Sequence, residues 1–265
     1  MKVFLIVSAA LAVCIPSAAQ AWGQTGHRVI GELADQRISG RTRAEIEIIL
    51  GSEDLAEVST WADEERSNPD PFWQKEAGPW HYVTVPAGQA YTEVGAPPEG
   101  DAFTALQRFT DTLRNPAASR KDKALALHFI VHIVGDLHQP LHNGNGRDRG
   151  ANDVRVTWFG DATNLHSVWD SRLIDSRNLP YTEYSNWLGR RITPEQTIEW
   201  WTFDPLVWIG ESTAIRNTIY PETDGSEPPR LGYAYQYKHL GTAERRLQQG
   251  GVRLAAYLDW VFAGE

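Results

Sequence analysis

The residues best able to do chemistry in this chain are histidines and aspartates, and they cluster. One stretch carries His128, His132, Asp136, His138 and His142. On a helix, His128, His132 and Asp136 stand one turn apart and share a face. Pro140 ends that helix and turns His142 back. His166 and Asp170 form a second pair spaced i, i+4. An imidazole and a carboxylate one turn apart can close on a single divalent ion. One such pair alone is more often a surface ion pair or a helix cap. Two pairs with extra histidines on an apolar background bring metal binding level with that reading. His27 and His81 in isolation read as ordinary core or surface residues, and Asp63, beside Trp61 at a helix end, as a solvated acid. His128 is either a ligand by spacing or a donor packed under the ligands. His138 and His239 read as structural or surface residues.

No sulfur competes for this chemistry. The chain of 265 residues has one Cys and one Met, Cys14 and Met1. Both fall in residues 1–21, which read as a secretory signal: Lys2 is the positive start, Val3 to Ile15 the apolar core, and Ala19-Gln20-Ala21 the cleavage site. Cleavage after Ala21 leaves residues 22–265 as one mature domain without thiols. That excludes a disulfide scaffold, a thiolate metal site and a cysteine nucleophile. N/O ligand sets of this kind suit zinc. Leu11-Ala12-Val13-Cys14 faintly resembles a lipoprotein box, but Val13 is larger than the small residue expected there. With a formal net charge of −9, the chain has no general electrostatic hold on nucleic acid. Any phosphate chemistry must create its positive charge locally. No apolar run beyond the signal approaches the roughly 20 residues of a membrane helix. After cleavage Trp22 is the first residue. Its α-amine is a nitrogen ligand with an ordinary pKa near 8, and its carbonyl can close a five-membered chelate.

The elements that must position these groups are mostly helical. Apolar periodicity predicts helices over 26–38, 43–50, 55–65, 103–113, 121–137, 165–174, 194–218 (with a break at Pro205) and 231–263. Residues 80–85 and 154–159 read as extended, 91–100 as a Pro/Gly loop and 143–151 as a Gly-rich loop. The expected fold is mainly α, a single helical domain with one or two short extended segments. Such bundles build metal sites from inward-facing side chains.

Six motifs then fall in a familiar order: Trp22-Gly23-x-x-Gly26-His27, Trp61-Ala62-Asp63, Trp80-His81-Tyr82, Val131-His132-Ile133-Val134-Gly135-Asp136-x-x-Gln139-Pro140-Leu141-His142, Gly150-Ala151-Asn152 and Asn164-Leu165-His166-Ser167-Val168-Trp169-Asp170. Together they resemble the single-strand-specific zinc-dependent nucleases of the S-one/P-one type. That family is related in fold and metal cluster to zinc-dependent phospholipase C. The resemblance implies three Zn²⁺. Asp63, His81 and His132 would hold the first, with Asp136 bridging. His142, His166 and Asp170 would hold the second. The amine and carbonyl of Trp22, His27 and Asp136 would hold the third. In this pattern His128 and His138 are not ligands.

The resemblance further implies an extracytoplasmic phosphodiesterase. It would be an endonuclease on single-stranded DNA and RNA that leaves 5′-phosphorylated products and also removes 3′-phosphates from nucleotides. A hydroxide shared by two zincs would attack phosphorus, with Asp63 orienting it as the catalytic residue. Three dications against three aspartates would make the pocket positive inside an acidic protein. Tyr82, next to ligand His81, is the candidate base-stacking platform, Asn152 a candidate polar contact, and Asp101 a candidate acceptor from a base edge. Tyr82 alternatively packs, and Asp101 alternatively caps the helix before Phe103. The chain departs from the family in lacking mature cysteines and in having Ala151 where glycine is common. The absence of an Asn-x-Ser/Thr site fits a bacterial periplasmic or secreted enzyme. A monomer is expected. The competing readings are a zinc-dependent phospholipase C and a non-catalytic periplasmic zinc-binding protein.

Overall fold

The structure is a computed structural model that describes residues 22–222 and 228–263. Residues 1–21, read above as a secretory signal, lie outside the described residues. The fold is mainly α, as the periodicity predicts. In chain order the helices are α1 (Gln24–Asp35), α2 (Gly40–Leu50), α3 (Leu55–Val58), α4 (Trp61–Glu64), α5 (Tyr91–Val94), α6 (Ala102–Arg114), α7 (Arg120–His138), α8 (Leu165–Ser167), α9 (Leu173–Asp175), α10 (Tyr181–Gly189), α11 (Pro194–Trp200), α12 (Pro205–Ile219) and α13 (Tyr233–Phe262). The short strands are β1 (Val83–Thr84), β2 (Asn143–Gly144), β3 (Arg155–Trp158), β4 (Asp161–Asn164) and β5 (Arg230–Leu231).

α7 runs through the centre. Every residue from Ala126 to His138 is buried, so this helix shows no polar face. Ser119 caps its N-terminus by accepting the Asp122 N–H. α1, α6 and α13 pack against it, and α1 also lies along α3, α10 and α13. The shared core includes Val29, Ile30 and Leu33 from α1, Ile130, Ile133 and Val134 from α7, and Leu247, Leu254 and Leu258 from α13. Burial of this apolar surface, at about 25 cal/mol per Å², holds together the helices that carry the His and Asp cluster. The sheets are small: β1 pairs parallel with β2, and β3 lies between β4 (antiparallel) and β5 (parallel).

The differences from the expected elements are local. The 55–65 helix is interrupted at Ser59 and Thr60, between α3 and α4. Residues 78–81 form a 3₁₀ turn, and only Val83–Thr84 is extended. The Pro/Gly loop contains the one-turn α5. The helix over 165–175 is widened to a π turn at Val168–Arg172. α10 and β4 were not expected at all. The break at Pro205 is real: Asp204 caps α12 by accepting the Leu206 N–H. Among the described residues no helix is long and apolar enough to cross a membrane.

Candidate metal centre

Asp136 sits at the middle of the site, fully buried on α7. Its Oδ1 lies 3.3 Å from His27 Nε2 and 3.7 Å from His142 Nδ1. Its Oδ2 lies 3.3 Å from His81 Nδ1 and 3.2 Å from His132 Nε2. Four histidines from four stretches of chain therefore face one carboxylate. His132 reaches it from one turn earlier on α7, as the spacing predicts. His27 comes from α1, and its ring stacks on that of His132 with centroids 4.2 Å apart. Gly135 makes room for this: a Cβ there would lie 2.8 Å from His27 Nδ1, which offsets the helix-propensity cost of glycine.

The break between α3 and α4 also serves the site. His132 Nδ1 lies 2.8 Å from the carbonyl of Ser59, so Nδ1–H donates there and the Nε2 lone pair faces the centre. Asp63, on α4, places Oδ1 at 3.8 Å from His132 Nε2 and 3.9 Å from His81 Nδ1. His142 Nδ1 donates to the His81 carbonyl at 2.7 Å. His142 Nε2 lies 3.8 Å from Asp170 Oδ1, and His166 Nε2 lies 3.1 Å from Asp170 Oδ2. The N-terminal stretch is tied to this second group, because the Gly23 N–H donates to the Asp170 carbonyl at 2.7 Å. The Trp22 side chain is completely buried.

These spacings are compatible with a coordination shell. Ligand atoms 2.0–2.1 Å from a tetrahedral zinc stand about 3.3 Å from one another. Three donor groups result: His27, His132 and Asp136; Asp63, His81 and His132; and His142, His166 and Asp170. The structure thus brings together all eight expected side-chain ligands. Several buried atoms of these groups lack partners. Both ring nitrogens of His27, Asp63 Oδ1, both oxygens of Asp136 and His142 Nε2 have no hydrogen-bond partner in the protein. A buried polar atom left unpaired costs about 1–3 kcal/mol, and cations held between these groups would satisfy one nitrogen of His27 and the oxygen and His142 Nε2 atoms.

Charge placement agrees. Burial pushes the Asp170 carboxyl up to about 6, against the pull of His166. Burial likewise pushes His81 down to about 4, although Asp136 opposes it. For His132 burial works against the charged ring, but the Asp136 and Asp63 carboxylates outweigh it and raise it to about 9. Two buried carboxylates and the partly buried Asp63 thus face the histidines of the cluster, an arrangement that could hold cations.

The remaining candidates divide. His128 is not among the donor groups; its ring stacks on Trp61 at 4.5 Å, so of its two readings the packed one describes its place. His138 Nδ1 donates to the Val134 carbonyl, and His239 packs between Tyr235 and Trp169. Tyr82 follows His81 and is 47 % exposed. Asn152 uses its amide to donate to the Arg149 carbonyl. Asp101, expected as an acceptor from a base edge, is 2 % exposed with both oxygens engaged. Oδ1 accepts the Thr104 N–H and Oδ2 the Tyr91 hydroxyl, so it caps α6 instead. Two residues not singled out by sequence also belong here. Arg66 Nη1 lies 3.3 Å from Asp63 Oδ1, and the Gln139 amide donates to Asp170 Oδ1. Arg66 was visible only as a cation one turn after Asp63; Gln139 only as a fixed letter inside a motif.

The sequence profile described as S1/P1 Nuclease matches residues 22–263. Endonuclease 4 of Arabidopsis thaliana is 30% identical over 92% of this chain and 90% of its own length. Nuclease S1 of Aspergillus oryzae is 29% identical over 91% of each chain. Nuclease P1 of Penicillium citrinum is 26% identical over 92% of this chain and 99% of its own. With the aspartate-centred cluster in place and the profile covering nearly the whole described chain, the protein belongs to the S1/P1 nuclease family.

Proposed function

We infer that this protein is a zinc-dependent hydrolase of phosphodiester bonds, an endonuclease selective for single-stranded nucleic acid. The observation that carries the reading is the single buried carboxylate of Asp136 facing four histidines, flanked by Asp63 on one side and Asp170 on the other. Zinc, when bound, supplies Lewis acidity and concentrated positive charge. The ligand assignment is Asp63, His81, His132 and Asp136 for the first ion, His142, His166 and Asp170 for the second, and Trp22, His27 and Asp136 for the third. A total of three ions agrees with the three donor groups.

The chain's own residues supply the rest. Asp63 is the least buried of the three aspartates, and its Oδ1, turned into the cluster, is the oxygen placed to orient an attacking water. Arg66, beside it, offers a guanidinium to a phosphate oxygen. Tyr82, half exposed next to His81, stacks an unpaired base. A base must leave its duplex neighbours to reach that ring, which favours single strands. The same placement suits a 3′-nucleotide, and the products would carry 5′-phosphate. Asn152 contributes a polar contact from the loop above His166. The enzyme acts as an exported monomer that begins at Trp22 after cleavage.

The test is one assay with three substrates, each with and without chelator: single-stranded DNA, 3′-AMP and a phosphatidylcholine emulsion. Chelator-sensitive activity on the first two is expected. Activity on lipid alone would replace this reading with a phospholipase C; bound zinc with no activity would leave a storage protein.

A further inference from the structure

Three consecutive residues, Arg149, Gly150 and Ala151, have φ of 52°, 62° and 65°. The left-handed region is sterically costly for an L-residue, so Arg149 and Ala151 are held there by their surroundings. The turn is wedged between the two histidines of the second donor group. A Cβ on Gly150 would stand 2.4 Å from the carbonyl oxygen of Leu141, immediately before His142. The Gly150 carbonyl accepts from His166 Nδ1 at 2.5 Å, and the Ala151 carbonyl accepts the His166 N–H at 3.4 Å. The two imidazoles lie 5.0 Å apart, centroid to centroid. The turn therefore sets both the spacing of this histidine pair and the tautomer of His166.

Asp148 is what keeps the turn wound. Its Oδ1 accepts the Ala151 N–H at 2.8 Å. Its Oδ2 accepts the Tyr220 hydroxyl at 2.8 Å and the Asn145 amide at 2.9 Å. Tyr220 closes the C-terminus of α12. The same helix sends Arg216 Nη1 to the carbonyls of Val85 and Asn143. α12 thus grips the loop after His142 at two points, neither of which touches a donor atom.

We propose that Asp148 is a positioning residue for the His142–His166–Asp170 metal group, acting through the left-handed turn it fixes and anchored by Tyr220. The proposal rests on the zinc assignment above. Without the Asp148 carboxylate, Ala151 relaxes toward ordinary backbone angles and the Gly150 carbonyl leaves His166 Nδ1. The ring then loses the contact that aims Nε2 at the metal. Loss of a contact of this kind weakens metal binding by roughly 10- to 100-fold.

The experiment measures zinc release from the full chain into a chromophoric chelator, together with zinc stoichiometry and melting temperature with chelator present. Wild type is expected to hold three equivalents. Asp148→Ala should release one of them about 10- to 100-fold faster and leave the other two unchanged. Asp148→Asn keeps an acceptor for the Ala151 N–H but turns a donor toward Tyr220 and the Asn145 amide, so its release rate should fall between wild type and Asp148→Ala. Asp148→Ala combined with Ala151→Gly should recover slow release in part, because glycine occupies positive φ without strain; a merely structural role for Asp148 would show no such rescue. If Asp148→Ala does not fold, Tyr220→Phe loses only the anchoring hydroxyl and should speed release of the same single equivalent. Unchanged release in Asp148→Ala, or in Tyr220→Phe where that variant stands in, overturns the positioning role alone. A wild-type chain that holds fewer than three equivalents overturns the three-ion assignment on which this inference rests.

Discussion

Replacing Asp136 by Asn tests the metal-centred reading most directly. The substitution keeps size and shape but removes the charge and one of two ligand oxygens. Each oxygen of Asp136 faces a different pair of histidines, Oδ1 toward His27 and His142, Oδ2 toward His81 and His132. An amide can serve only one side. Two ions should therefore weaken together. A contact to a ligand is worth 10- to 100-fold in affinity, so a 100-fold loss at each ion is a conservative figure for the ligand itself. That is about 2.7 kcal/mol per ion, or about 5 kcal/mol for the pair. For a chain of this size each kcal/mol moves the melting temperature by roughly 2–4 °C, so the expected loss is roughly 10–20 °C in saturating zinc. The informative quantity is the difference between melting with zinc and melting with chelator. In the metal-free chain Asp136 still pairs with a protonated His132, which Asp136 helps raise to about 9, so part of the loss is not due to zinc. Calorimetry of both proteins in both states separates the parts. If Asp136→Asn retains the full zinc-dependent rise in melting temperature, Asp136 is not a shared ligand and the cluster has been misread.

Three other outcomes follow. Tyr82→Ala should raise the KM for single-stranded DNA by roughly 5- to 150-fold, the equivalent of 1–3 kcal/mol of stacking, and leave the melting temperature in place; an unchanged KM would remove Tyr82 from the cleft. A chain that retains residues before Trp22 should bind one zinc fewer than one starting at Trp22, read by metal analysis of the two purified forms. Glu211 tests the thiol-free core: burial alone would raise its carboxyl, but the buried guanidiniums of Arg253 and Arg246 outweigh this and hold it below the usual range. Its stabilising contribution is thus full above the unfolded pKa near 4.3 and fades as pH falls through the lower folded value. Glu211→Gln should cost about 3 kcal/mol at pH 7, the low end for a broken buried pair because Glu211 is itself partly exposed, and the gap to wild type in denaturant melts should close as pH drops below 4.

Helical spacing made the pairs His132 with Asp136 and His166 with Asp170 legible, whereas His27, Asp63 and His81 read as ordinary residues until the resemblance grouped them. Helix positions were legible wherever one face is apolar, as in α1 and α6. Spacing alone left His128 open, because it stands at the ligand interval on a helix whose second half is buried on all sides; its ring stacks on Trp61. Asp101 carried two readings, and the cap follows from Thr104 three residues on. What periodicity could not reveal is pairing across distance: β1 against β2, the Ser59 carbonyl beneath His132, and Gln139 against Asp170. α10 escaped because its buried residues, Tyr184, Ser185 and Leu188, make too short and mixed a stripe.

The convergence of distant stretches on Asp136 has a kinetic consequence. Its histidine neighbours are residues 27, 81, 132 and 142, so the nest exists only after α1, the 78–81 turn and α7 have all docked. Closing loops of that length costs entropy before any ligand contact is gained. An extended chain offers a metal only the neighbouring pairs His132–Asp136 and His166–Asp170. Packing of α1, α7 and α13 must therefore come first, and cation uptake becomes the closing event of folding. Under the zinc assignment the ions would act as a latch rather than a seed, taken up by a chain whose hydrophobic assembly is already complete.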